Sequence, residues 1–292
     1  MYERIKRIAR RSGLLVKIHA NVTRNIALAK YEMKDIYDSF LSKSTKPQMT
    51  PYGFKLIGSK SMHHIAMQRG EFEPEETSLF MKQFEKSDVF IDVGANIGFY
   101  TCLGRSAGKQ VVAVEPLPKN LNYLFANLLA NGWNDVEVFP VGLSENPGLA
   151  TLYGASSTGA SLIGNWAGSS RYFQQTISLS TLDILLGGRF NGKKIFIKID
   201  VEGVEYSVLL GAIATINLNP KPIWVIEICL NEYHPDGMNP NFKNIFSLFW
   251  GCGYEARTAD GNNKLIEPVD VDRWIKLERC DSGTINYKFM PL

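Results

Sequence analysis

Cysteine is scarce and unpaired: Cys102, Cys229, Cys252 and Cys280 stand far apart in 292 residues and never form a CxxC spacing. This excludes a dense disulfide framework, offers no zinc-ligand set, and fits a reducing, cytoplasmic setting. No apolar run reaches the roughly 20 residues that a membrane helix needs, and the N-terminus has no apolar signal-peptide stretch. Internal repeats and low-complexity tracts are also missing. What remains, 45% hydrophobic and 21% charged residues, is enough for one sizeable globular core.

A large charge excess is lacking too, yet the net +3 hides an asymmetry. Residues 1–50 carry 11 Lys and Arg against 4 Asp and Glu, which leaves the rest at −4. The chain therefore reads as a basic helical N-terminal arm, residues 1–50, on a mildly acidic body, residues 51–292. The boundary falls at TKPQMTPYGF, residues 45–54, where prolines and a glycine interrupt a polar stretch. Arg4, Lys6, Arg7, Arg10 and Arg11 surround Ile5 and Ile8, so residues 1–18 fit either a weak contact with an anionic membrane surface or a solvated helix packed on the body. The body has no net positive charge and no RNA-binding motif, so nucleic acid is not an expected partner.

After a short strand in FKLIG and a helix from about Pro74 to Phe84 opened by acids, the pattern changes at Val89. VFIDV, VVAVE, VEVFPV, IFIKID and IWVIEI read as strands buried on both faces, because each is a short run of β-branched and aromatic residues. NIGFYTCLGRSA, PKNLNYLFANLLANG and GVEYSVLLGAIATI between them read as helices. Alternation of this kind predicts an α/β fold: a mostly parallel Rossmann-like sheet flanked by helices, with ligands at the carboxyl ends of the strands. Residues 148–180, rich in Gly and Ser, predict a hairpin-like insertion between core strands that lies over a pocket. One more helix and an antiparallel C-terminal edge complete the expectation.

The candidate ligand site begins with Asp92 at the end of VFIDV, followed by Gly94, Asn96 and Gly98 at the turn into a helix. Against the GxGxxG dinucleotide fingerprint, Asn96 and Phe99 replace the second and third glycines, which disfavours close pyrophosphate packing. Asp92 and Asp200, both at strand ends, would repel a pyrophosphate and attract an ammonium or a sulfonium. S-adenosylmethionine carries both cations. Glu115 ends the second strand, 23 residues beyond Asp92, where an acid accepts hydrogen bonds from ribose hydroxyls; the alternative is a merely solvated carboxylate.

GEFEPEE (70–76), DVFIDVGANIGFYT (88–101), VVAVEPLPKNLNYLFANLLANG (111–132), VGLSE (141–145) and IKIDVEGVEYSVLLGA (197–212) together resemble the FkbM-type S-adenosylmethionine-dependent methyltransferases over about residues 50–258. The resemblance implies a class I methyltransferase fold that moves a methyl to a hydroxyl, commonly on a sugar, glycan or polyketide-like acceptor, and leaves S-adenosylhomocysteine. It implies that Asp92, Gly94, Asn96 and Gly98 line the methionine end of the donor, that Glu115 holds the ribose with Pro116 shaping its turn, and that Gly142 and Leu143, and secondarily Ser144, lie beside adenine. Asp200 and Glu202 would face the donor ammonium and the reaction centre, and Glu73 matches the family's acidic pattern as a further donor contact.

An alcohol is a poor nucleophile at neutral pH, so a positioned base helps. Glu202, Glu227 and His234 are the candidates, with His234 favoured for its place on the loop after the fifth strand. Metal assistance is an alternative, in which Asp200, Glu227 and Asn231 hold Mg²⁺ through hard oxygens. His63 and His64 are adjacent, so they point to different faces, one packing and one outward. Among the aromatics, Trp166 and Tyr172 sit where they could face a sugar ring. A second functional reading remains open: a non-catalytic nucleoside-binding module recruited to an anionic surface by its basic arm.

Overall fold

The computed structural model describes residues 44–154, 159–169 and 172–292. The expected basic arm and its surface contact through residues 1–18 lie outside the described residues, apart from the short stretch 44–50. Among the described residues, no helix is long and apolar enough to cross a membrane.

The described chain opens with a small antiparallel pair, β1 (Gln48–Met49) and β2 (Lys55–Leu56), and two helices, α1 (Met62–Arg69) and α2 (Pro74–Phe84). There follow β3 (Val89–Val93), α3 (Phe99–Ser106), β4 (Gln110–Val114), α4 (Pro118–Ala130) and β5 (Glu137–Phe139). A side sheet comes next, from β6 (Gly142–Leu143), β7 (Gly148–Tyr153) and β8 (Gln174–Ser180). Then come α5 (Leu182–Leu186), β9 (Ile195–Ile199), α6 (Glu205–Leu210), α7 (Ile213–Ile216) and β10 (Ile223–Glu227). The C-terminal part holds α8 (Phe242–Gly251), β11 (Tyr254–Thr258), β12 (Leu265–Ile266), α9 (Pro268–Leu277) and β13 (Asn286–Pro291).

The main sheet has eight strands in the order β12-β11-β13-β10-β9-β3-β4-β5. The five from β10 to β5 are parallel, and β13, β11 and β12 close one edge in antiparallel fashion. Strand order reverses between β3 and β9, so the connections leaving their carboxyl ends diverge and open a crevice there.

Alternation along the parallel strands divides the core into two layers. Ile91, Ile197 and Ile226 face one layer, shared with Phe242, Phe246 and Trp274. Phe90, Phe196 and Val225 face the other, under α2 and α3, where Phe80 and Phe196 meet edge to face at 4.9 Å. Asp92, Lys198 and Glu227 fall on this second side by the same alternation, so the aromatic layer ends in charge at the strands' carboxyl edge.

Three elements depart from the expectation. VEVFPV is cut short before Pro140: β5 ends at Phe139 in the main sheet, and β6, just beyond the segment, joins the side sheet by pairing parallel with β8. The helix read through GVEYSVLLGAIATI breaks at Gly211, where a Cβ would lie 2.2 Å from the Ser144 carbonyl oxygen; the helix surface gives way to a loop that presses against it. The helix α9, invisible to motif reading, begins with a capping box in which Glu267 and Asp270 exchange side-chain and backbone bonds.

Candidate active site

The turn after β3 fixes the site. The amides of Gly94 and Ala95 both donate to the Val114 carbonyl, at 2.9 and 3.1 Å, and the Asp200 amide donates to the Val93 carbonyl at 3.0 Å. The three strand ends are thereby drawn so close that a Cβ on Gly94 would sit 1.8 Å from the Asp200 carbonyl oxygen; with φ at 82°, only glycine fits. Asn96 also adopts a left-handed backbone, φ 53°, with its Oδ1 accepting the Ile97 amide at 2.7 Å. Asparagine tolerates that conformation, which explains why the position expected for a second glycine can carry a side chain.

Glu115, at the end of β4, is buried, and its two oxygens hold two different loops. Oε2 accepts the Asn96 amide at 2.8 Å, and Oε1 accepts the Leu117 amide at 2.8 Å and Asn120 Nδ2 at 3.3 Å. Burial pushes its carboxyl up to about 7, against the pull of these donors.

A cleft of about 660 Å³, open mouth included, lies between these turns and the side sheet. Gly94, Asn96, Glu115, Pro116, Gly142, Leu143, Asp200 and Glu202 all line it. The opposite wall is apolar and comes from the insertion: Leu152 and Ile177 on β7 and β8, with Ala160 and Leu162 between them. Asp92, Gly98 and Glu73 do not line it. Asp92 is buried behind the turn, where Thr101 Oγ1 donates to its Oδ2 at 2.6 Å. Gly98 caps α3 at φ 88° and packs on Leu124. Glu73 starts α2 and accepts the Tyr100 hydroxyl at 2.7 Å; burial raises its pKa.

The residue that sequence reading missed is Lys198. It sits in the buried run IFIKI, its Nζ donating to Asp200 Oδ2 at 2.9 Å and lying 5.3 Å from the Tyr100 ring centroid. Burial, the largest influence, works to lower its pKa, but Asp200, Asp92 and Glu73 outweigh it and hold the ammonium charged. The signal was present: a lysine in the middle of a strand buried on both faces demands a partner, and Asp200, two residues on, shares its face.

The proposed bases lie in different surroundings. Both oxygens of Glu202 are engaged, by the Gly159 amide at 3.0 Å and by Trp166 Nε1–H at 2.6 Å. Burial, then the Asp200 charge, pushes Glu202 up to about 7. Glu227 ends β10, with the Cys229 thiol 3.9 Å from its Oε1, and burial together with the Asp200 and Glu202 charges drives its pKa well above the usual carboxylate range. Neither Glu227 nor His234 lines the cleft; the His234 ring meets the Trp166 ring edge to face at 5.8 Å.

Asn231, expected beside a metal, instead donates through Nδ2 to the Glu278 carbonyl at 2.8 Å. Among the described residues, no group of three or more His, Cys, Asp or Glu side chains is arranged to hold a metal ion. His64 is buried, with Nδ1 accepting the Ser59 amide at 2.9 Å, and His63 is exposed. Trp166 is 1% exposed and offers no face to a sugar.

The arrangement of a glycine cradle, a buried acid on the second strand and acids after the fourth coincides with a family match. The profile of the Methyltransferase FkbM domain matches residues 92–256, more than half the chain. The chain belongs to the FkbM methyltransferase family. It is therefore a methyltransferase of the S-adenosylmethionine-dependent type, and the mostly parallel sheet described above is its core. No curated protein sequence matches the chain. Solved structures resemble it remotely: a SAM-dependent methyltransferase from Agrobacterium tumefaciens (10% identity, 81% of this chain and 66% of that one, TM-score 0.39); an rRNA methylase from Streptococcus thermophilus (13%, 73% and 92%, 0.37); and precorrin-6y C5,15-methyltransferase from Geobacter metallireducens GS-15 (11%, 62% and 71%, 0.35).

Proposed function

We propose that this methyltransferase holds its donor in the cleft between β3, β4 and β9 and methylates a hydroxyl of a sugar, glycan or polyketide-like small molecule. One observation carries the donor site: the cleft is acidic on one wall and apolar on the other. Glu115, Asp200 and Glu202 form the first wall, while Leu143, Leu152, Leu162 and Ile177 form the second, and among the described residues no lysine or arginine lines either. Such a surface repels a pyrophosphate and suits a cationic amino-acid tail joined to a nucleoside. The backbone at Gly94, which leaves no room for a Cβ, fits close approach of that tail.

The donor supplies an electrophilic methyl on a sulfonium. Asp200 and Glu202 would hold the ammonium end, Glu115 would accept from the ribose hydroxyls with its remaining lone pairs, and the leucines and Ile177 would enclose adenine. Holding acceptor oxygen and methyl in line is the chief catalytic contribution, up to about 7–11 kcal/mol in favourable cases. Among the candidate bases we favour Glu227. Glu202 is occupied by the insertion; Glu227 and His234 both lie outside the cleft lining, but the His234 ring is packed against Trp166. Burial makes the Glu227 carboxylate a stronger base once ionised, and a nearby cation favours ionisation. A metal-assisted version has less support, since Lys198 occupies one oxygen of Asp200 and Asn231 is committed to Glu278. The test is transfer of labelled methyl from S-adenosylmethionine across hydroxylated acceptors. The reading predicts a labelled ether on one acceptor class; labelling confined to amines or to nucleic acid would overturn it.

A further inference from the structure

Among the described residues, the insertion between β7 and β8 meets the loop after β9 at Glu202. Besides the two bonds to its carboxylate, Glu202 accepts the Ser161 hydroxyl on its main-chain carbonyl at 2.6 Å. The Trp166 ring lies against Gly203 so tightly that a Cβ there would be 2.4 Å from ring carbon Cζ3. Next to it, the Ala167 amide donates to the Tyr233 carbonyl at 2.9 Å. Trp166 does not itself line the cleft, whereas Gly159, Ala160, Leu162 and Glu202 do.

We propose that Trp166 is a positioning residue for donor binding, acting through Glu202 to fasten the insertion as the outer wall of the cleft. The inference rests on the donor reading above. If the indole served only to fill space, its N–H could point anywhere polar; it is aimed instead at a carboxylate oxygen at 2.6 Å, within the short range of charge-assisted bonds. The same carboxylate reaches the wall through Gly159, so one anion ties the indole, the wall and the loop after β9 together. Burial and the Asp200 charge raise the Glu202 pKa, and the indole and Gly159 N–H groups oppose them. Removing the indole N–H therefore makes Glu202 easier to protonate near neutral pH, which weakens its grip on Gly159.

The test combines amide hydrogen exchange of the segment 159–169 without ligand and calorimetric binding of S-adenosylhomocysteine, on wild type, Trp166→Phe, Glu202→Gln and the double variant. The expected result is faster exchange and about tenfold weaker binding in Trp166→Phe, on the scale of one hydrogen bond to a charged group. The double variant should be no worse than Glu202→Gln alone. Affinity in Trp166→Phe should also fall away at a higher pH than in wild type; should Glu202→Gln not fold, this shift alone decides. Additive losses, or a Trp166→Phe protein indistinguishable from wild type, would overturn the inference. Coupled exchange in a wild type that binds no S-adenosylhomocysteine would leave the clamp standing and sink the donor reading.

Discussion

Replacing Glu115 by glutamine tests the second strand's acid in a way that can be calculated. The carboxylate presents two acceptors to two backbone amides, those of Asn96 and Leu117. Glutamine keeps only one acceptor and turns an NH₂ group toward the other amide, leaving a buried donor unsatisfied at a cost of about 1–3 kcal/mol. The proton balance is more diagnostic. With the folded carboxyl near 7, about 0.9 of the chains carry a proton there at pH 6 and about 0.1 at pH 8. Ribose hydroxyls donating to Glu115 favour the ionised form, so ligand binding should expel that proton. Calorimetry of S-adenosylhomocysteine in buffers of different ionisation enthalpy reads the number released. Wild type should release more protons than Glu115→Gln at pH 6, up to about 0.9, and nearly the same number at pH 8. Equal release by both proteins at pH 6 would refute the role given to this carboxylate.

Gly94→Ala should lose about 3 kcal/mol or more of stability in denaturant unfolding, because both atoms in the 1.8 Å clash belong to backbone or Cβ and the left-handed φ adds strain. Burial holds His64 neutral, with its pKa lowered to about 4 from 6.5, so its contribution is intact above pH 6.5 and drains away as pH falls toward 4, by about 3 kcal/mol in all. His64→Asn, which keeps an acceptor for the Ser59 amide, should flatten that part of the stability profile. Glu227→Gln should lower kcat by about 10²–10⁴ with little change in S-adenosylhomocysteine affinity. Turnover should persist in excess EDTA; its abolition there, with recovery on adding Mg²⁺, would return the mechanism to a metal.

The five parallel strands were legible because burial on both faces leaves little room for polar residues, so VFIDV and IFIKI stand out as apolar runs. The acids at the strand ends were legible for a related reason: Asp92, Glu115 and Asp200 close those runs, where a strand meets the crevice. Their separate fates were not. Asp92 is turned inward to Thr101 while Asp200 opens to the cleft, and that depends on side-chain direction and on the Lys198 ion pair. The apolar wall was hidden as well, since Leu152, Leu162 and Ile177 reach the cleft only through a side sheet whose pairing no local pattern encodes. Glu202 read as a ligand or base because it follows a strand; its bond to Trp166, 36 residues away, depends on the return path of the insertion.

The most direct measurement is equilibrium binding of S-adenosylmethionine, S-adenosylhomocysteine and NADH to the purified protein. The account predicts one saturable site for the first two, in mutual competition, and no displacement of either by NADH. Tight capture of NADH by a protein indifferent to both adenosyl ligands would contradict it.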